Sequence, residues 1–396
     1  MEHLKSKIQI LAKENISEII EIRRHLHAHP ELSFEEYATS DFIASKLKEY
    51  NIPFKQGIVK TGITALIEGR NPAKKIIALR ADMDALPITE INNTSYKSIN
   101  TGVMHACGHD VHSASLLGAA KILNELKNNF EGTVKLIFQP GEEKLPGGAS
   151  LMIKEGVLEN PRPQSILAQH VFPSMETGKA GFRSGMYMAS TDEIYVTVSG
   201  KGGHAAMPAD YNNPLLIASQ ILVELNKTFM QQKQKTPSVL AFGKIIGNGA
   251  TNVIPDEVKI EGTFRTMNEE WREEAHLKMK MQAEDIALEM GGTCNFRIER
   301  GYPFLVNNEA VTLKARTAAE IYLGKENVEE LPLRMTAEDF AFYSQLLPAC
   351  FYRLGTGNKA KGITSGVHTA SFDIDEKALE IGAGLMAWLA VNELAD

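Results

Sequence analysis

The sequence predicts an α/β fold in which a mixed, mostly parallel sheet flanked by helices is interrupted by an inserted ferredoxin-like α+β domain. Three observations lead there. The 396 residues exceed one typical domain, so two are expected, with a core large enough to need no staples. The first half alternates helical periodicity with short apolar, β-branched runs, the pattern of a largely parallel sheet covered by helices. Near residue 190 the order becomes βαββαβ over about a hundred residues, enough for a separate domain. Helical character then returns after residue 300.

Residues 4–28 place Leu4, Ile8, Leu11, Ile16, Ile19 and Ile20 at helical spacing, and a second helix is expected over 35–49 with Phe42, Ile43 and Leu47 on one face. Strands follow at Thr64–Glu68 and in KKIIALRA (74–81), which is apolar and β-branched as a central strand should be. Residues 110–128 read as a helix, TVKLIFQ (133–139) as a core strand and Ser165–His170 as another. In the insertion, DEIYVTVSG alternates as a strand, and Asn213-Pro214 opens a helix. SVLAFGKIIG and EVKIEGTFRT are two strands, 269–290 is a helix stopped by Gly291-Gly292, and TCNFRIERG is the last strand. Helices are expected at 308–323, 337–346 and 374–394, with a short strand at Cys350–Leu354. The expected division is 1–186 with 300–396 for the outer domain and 187–299 for the insertion.

Composition narrows the function classes. The hydrophobic and charged fractions, 43% and 23%, are those of an ordinary soluble globular protein. A net charge of −7 argues against a nucleic-acid binder, which needs a basic face. The first 22 residues are amphipathic and lack the apolar core and cleavage site of a signal peptide. No run approaches the roughly 18 apolar residues of a membrane span. Three scattered cysteines form no disulfide set, which suits a reducing compartment. A cytoplasmic protein without nucleic-acid or membrane partners is the expectation.

Four clusters carry chemistry. In His105-Ala106-Cys107-Gly108-His109-Asp110-Val111-His112, a thiolate and an imidazole stand either side of a glycine that lets the backbone turn tightly. Such ligands suit manganese, zinc, cobalt or nickel better than magnesium or calcium. The strand TVKLIFQ ends in Pro140-Gly141-Glu142-Glu143, and functional residues gather at the C-terminal ends of strands in open α/β sheets. Adjacent glutamates diverge, so one binds metal while the other faces substrate. His170 closes SILAQH, and His368 lies in the loop SGVHTASF. Together they supply enough ligands for two divalent metal ions sharing a water.

The segments RRHLHAHPELSFEE, ALRADMDALPI, MHACGHDVHSA, FQPGEE, GKGGHAAMP, NVIPD, GTFRT and AEDFAFY stand in order along nearly the whole chain. In these the chain resembles the metal-dependent N-acyl-amino-acid amidohydrolases, which include hippurate hydrolase, aminoacylases, N-acetyldiaminopimelate deacetylase and auxin-conjugate hydrolases. The resemblance implies a catalytic domain interrupted by a lid and dimerisation domain. It implies Cys107, His109, Glu143, His170 and His368 as metal ligands, Glu142 as general base, and Asp84 as an orienting partner behind a ligand. It implies that His204 reaches a substrate carbonyl, often in the partner subunit's site, and that Asn252 and Arg265 hold the substrate carboxylate or the developing oxyanion. The chain departs from the family pattern at Gln169 before His170, and at Asp210-Tyr211, where many members carry a histidine after the lid Met-Pro. The second departure bears on substrate preference or subunit contact.

The implied activity is metal-dependent hydrolysis of the amide of an N-acyl amino acid by a homodimer. A dipeptidase or aminopeptidase is the alternative within enzymes, and a non-catalytic binding protein the alternative outside them. Other residues receive plainer readings. Alternate histidines His25, His27 and His29 do not converge on one helix face, Asp82 satisfies loop backbone, Asp110 caps a helix, and Glu338 and Asp339 favour a helix dipole.

Overall fold

Strands whose side chains are apolar on both faces end up in the middle of a covered sheet. Thr133–Gln139 is buried at every position, and Ile76–Asp82 at all but its first. The computed structural model describes residues 1–231 and 236–395. Contacts group the chain into two units, one of Met1–Gly185, Val306–Pro332 and Asp339–Asp396, the other of Met186–Leu305 and Leu333–Glu338.

The first unit holds an eight-stranded mixed sheet in the order Phe54–Ile58, Gly62–Glu68, Thr133–Gln139, Ile76–Asp82, Ser165–Glu176, Ala349–Gly357, Ala180–Phe182, Val328–Glu330. Ile76–Asp82 pairs in parallel with both neighbours, as does Ser165–Glu176, while the first two pairings are antiparallel. The His109–Glu125 helix is buried along most of its length and packs against Ile16–Ala28 and Lys377–Leu394. Gly382 permits that approach, since a Cβ there would lie 2.8 Å from Ser115 Oγ. Among the described residues, no helix is long and apolar enough to cross a membrane.

Three elements differ from expectation. The helix expected over 4–28 is two, Glu2–Glu14 and Ile16–Ala28, parted at Asn15, whose side chain donates back to the Leu11 carbonyl. The strand expected to end at His170 runs on to Glu176, but its pairing with Ile76–Asp82 stops at Arg80↔Ala168, so His170 lies just past the end of that ladder. Of the helix expected over 337–346 only Ala341–Ser344 forms, because Asp339 is fixed first by Arg80, Gln139 and the Ala149 N–H.

The second unit carries a four-stranded antiparallel sheet in the order Ser238–Ile246, Glu257–Thr266, Asp192–Ser199, Thr293–Arg300. Helices Pro214–Asn226 and Glu269–Glu289 complete the ferredoxin-like βαββαβ arrangement. Asn213 and Asn268 cap these helices by accepting from Leu215 N and Trp271 N. Ile194, Val196, Ile217, Ile221, Phe264 and Met279 form its core. The expected end at 299 falls short. Gly301 accepts from the buried Arg272, Tyr302 accepts from Thr191 N, and Thr336 accepts from Ala189 N, which tie 300–305 and 333–338 to this unit.

Candidate active site

A glycine at 108 is required where the site begins. Its φ is +84°, and a Cβ there would stand 2.6 Å from Val171 Cγ2. The turn delivers Cys107 and His109 to the start of the His109–Glu125 helix. His368 also has a left-handed backbone, φ +62°, and its N–H donates to the Ala106 carbonyl at 2.7 Å. A non-glycine residue held so is a common mark of a functional position.

The first unit brings all six of its sequence-predicted metal and base residues together. Cys107 Sγ lies 3.3 Å from His368 Nε2 and 3.6 Å from His170 Nε2. His368 Nε2 is 3.2 Å from Glu143 Oε1. His109 Nε2 is 3.9 Å from Glu143 Oε1 and 4.0 Å from Glu142 Oε2. Among these residues three triads of donor atoms result, Cys107–His109–His170, Cys107–Glu143–His368 and His109–Glu142–Glu143, the first two sharing the cysteine. Asp84 stands behind them: it accepts from His109 Nδ1 at 3.1 Å, from the Glu143 N–H at 3.0 Å and from Ser33 Oγ at 2.7 Å.

These residues fit a pair of cations. Among the described residues, His109 Nε2 is buried without a hydrogen-bond partner. Burial lowers the affinity of His109 for a proton, yet the negative charges of Asp82, Asp84 and Glu143 outweigh it and raise the pKa to about 10. The cluster therefore draws positive charge. Burial, reinforced by Glu143 and Glu142, pushes the Cys107 thiol well above its ordinary value, so a thiolate there calls for a compensating cation. Burial, with Arg353 and His112, holds His170 well below the ordinary imidazole value, leaving it a neutral donor. Soft and borderline ligands of this kind suit the manganese, zinc, cobalt and nickel group.

In the second unit, His204 and Val253 pair across a two-stranded ladder, and the Asn252 carbonyl accepts from Ala205 N, so His204 and Asn252 are neighbours. Both side chains are exposed. Arg265 is half-buried on Glu257–Thr266 and donates to the Met335 carbonyl at 3.2 Å.

Three of the plain readings give way, and that of the histidines stands. Asp110 does not cap: it is fully buried and accepts from Arg23 Nε and His27 Nδ1, both at 2.8 Å. Asp82 takes Arg80 and His112 at 2.6 Å each rather than satisfying a loop. Asp339 accepts from Arg80, Gln139 and Ala149 N. His25 and His29 stack, while His27 turns inward, so the three histidines do not converge. The signal was present in the sequence, where Arg80 and Asp82 interrupt an otherwise apolar core strand; charges there are almost never buried unpaired.

Residues 78–392 match the model of peptidase family M20/M25/M40. The chain is 38% identical over 380 residues to N-acetyl-L-cysteine deacetylase of Bacillus subtilis, covering 96% of this chain and 88% of that one. It is 37% identical over 393 residues to thermostable carboxypeptidase 2 of Saccharolobus solfataricus, covering 98% of each. A crystal structure of the Bacillus subtilis YXEP protein, described as a dinuclear metal binding peptidase from the M20 family, superposes with a TM-score of 0.82 at 34% identity, covering 96% of this chain and 99% of that one. The chain belongs to peptidase family M20/M25/M40 and is a hydrolase of carbon–nitrogen bonds.

Proposed function

We propose that the protein hydrolyses the amide bond of N-acyl amino acids at a centre of two divalent metal ions. The observation that carries this reading is the pair of donor triads sharing Cys107, with Glu142 beside them. Cys107, His109 and His170 would hold one ion, and Cys107, Glu143 and His368 the other. Ions of this class polarise a carbonyl and lower the pKa of bound water to about 7.

The chain's own residues do the rest. Glu142 Oε takes a proton from the attacking water and returns it to the departing nitrogen. The Asp339 N–H, 3.4 Å from Glu142 Oε1, helps to fix that carboxylate. Asp84 sets the tautomer of His109 by accepting at Nδ1, which turns the Nε2 lone pair toward the cluster. His204 donates to the developing oxyanion, and Arg265 offers a planar fork to the substrate carboxylate with Asn252. The inserted domain serves as lid and dimerisation domain. The support for a homodimer is the edge strand Ser238–Ile246, which among the described residues pairs on one side only and exposes Ile245. The cytoplasm, a reducing compartment, suits a centre built on a free thiol.

The test is hydrolysis of acetyl, benzoyl and long-chain acyl amino acids by chelated protein reloaded with manganese, zinc, cobalt or nickel. Turnover should return with metal and vanish in Glu142→Ala. The carboxypeptidase relative motivates a second reading, in which short peptides are cut; faster cleavage of free dipeptides than of their N-acyl counterparts would favour it. Gel filtration with light scattering would decide the dimer, which a fully active monomer would sink.

A further inference from the structure

Distance alone offers further triples of donor atoms, among them Asp82–His109–His112. Hydrogen-bond accounting removes that one. Asp82 Oδ2 accepts from Arg80 Nη1 at 2.6 Å, and Oδ1 meets His112 Nδ1 at 2.6 Å. The Val171 N–H points at His112 Nε2 from 2.9 Å. A backbone N–H only donates, so Nε2 carries the lone pair, and the ring proton sits on Nδ1, where Asp82 receives it. Both ring nitrogens of a fully buried histidine are thus engaged within the protein.

We propose that His112 is a positioning residue that aims His170 at the metal centre, and is not itself a ligand. The inference rests on the two-metal reading above. Past Ala168 the Ser165–Glu176 strand has lost its pairing with Ile76–Asp82, so on that side the Val171 N–H has no strand to bond to. His112 supplies the acceptor. Val171 in turn accepts from His170 Nδ1 through its carbonyl at 2.8 Å, which fixes the His170 tautomer and turns Nε2 toward Cys107 Sγ.

The anchor is deep. Arg80 holds Asp82 on one side and Asp339 Oδ1, at 2.8 Å, on the other. The Asp339 N–H approaches Glu142 at 3.4 Å. One buried hydrogen-bonded chain, Glu142–Asp339–Arg80–Asp82–His112–Val171–His170, therefore links the base to a ligand. His109 and His112 stand one turn apart on a single helix, ring centroids 5.4 Å apart, so the same rigid element carries a donor and the support of another donor.

The experiment titrates full-length, chelated protein with zinc against a chromogenic chelator. It then records the visible spectrum of the cobalt-loaded form, in which a thiolate–cobalt band reports on Cys107. The wild type should take up two ions. His112→Phe should weaken one of them by about 10–100-fold and leave the other within about threefold, as loss of an orienting partner does. His112→Gln, whose carboxamide oxygen reaches toward the Val171 N–H, should recover most of the loss. Asp82→Asn should weaken the same ion by a smaller factor, and it keeps the test decisive if the Phe variant does not fold. Unchanged affinities in His112→Phe, or equal losses at both ions, would overturn the proposal. Complete loss of one ion without recovery in His112→Gln would make His112 a ligand and overturn it as well. A wild type that binds no divalent ion would overturn the two-metal reading itself.

Discussion

The two units hold their candidate residues in opposite ways. In the first, Cys107, His109 and His170 are buried, and behind them Asp82, Asp84 and Asp339 each accept two or more hydrogen bonds from the protein. In the second, His204 on a two-residue ladder and Asn252 just before its other strand are exposed, and the Arg265 side chain donates to the Met335 carbonyl. The difference separates two tasks. Groups that hold cations and move a proton need fixed geometry, and a fixed polar site must be surrounded by its partners. Groups that meet a substrate must be open to it. The first unit therefore should set the reaction and its metals, and the second its rate and substrate preference.

Variants can break this comparison. The largest effect is expected in the first unit: Glu142→Gln should lower kcat by about 10²–10⁴-fold, the range for a general acid–base, while zinc titration still finds both ions. Loss of the ions in that variant would mean that the glutamate is a ligand. Next comes His204→Ala, expected to lower kcat by about 10²–10³-fold, the effect of one oxyanion donor, with metal affinity unchanged. A change in metal affinity there would erase the contrast between the units. Arg265→Ala should act mainly on KM, raising it by about tenfold or more, as for one lost charge-assisted bond of roughly 1.5–3 kcal/mol, and Arg265→Lys should restore only part because the fork is gone.

The smallest effect concerns acid. Burial alone would raise the Asp110 pKa, but Arg23 and His27 hold it far below the usual carboxylate range. Its folded pKa is depressed, so its stabilisation is present above the unfolded value near 3.9 and is lost as pH falls below it. In the second unit, His276 and Arg272 hold Asp192 low in the same way. Melting temperature followed from pH 6 to pH 3 should fall in the wild type and fall less steeply in both Asp110→Asn and Asp192→Asn. Identical slopes in all three would assign the acid transition elsewhere.

The same contrast explains what could be read from the sequence. The six clustered residues sit at punctuation points: a glycine turn, a strand end at Pro-Gly, a loop before the last helix. Local chemistry marks such places, and His170 was recognisable although its strand runs six residues further. The supporting layer was legible only in part: Arg80 and Asp82 in an apolar core strand signal buried pairing, but their further partners, and the roles of Asp110 and Asp339, depend on residues distant in sequence. Asp339 and Arg80, for example, are 259 residues apart. Read locally, an acid near a helix start looks like a cap, and only burial reveals otherwise. In the second unit, periodicity was enough for the strand and helix order, whereas its end was set by backbone bonds from Thr191 and Ala189 to residues beyond it.

The first unit is discontinuous in the chain, and this bears on how the enzyme comes into being. The Lys377–Leu394 helix, which packs on the helix that carries His109, and His368 just before it are both made after the whole inserted unit. At about 5–20 residues per second of synthesis, the inserted unit has several seconds in which to fold ahead of its host. During that interval Cys107 lacks one of its neighbours and the long apolar helix lacks its partner. Metal capture is thereby tied to a late moment in the birth of the chain, and a stalled nascent protein carries an unfinished centre and an uncovered core face for chaperones to shield.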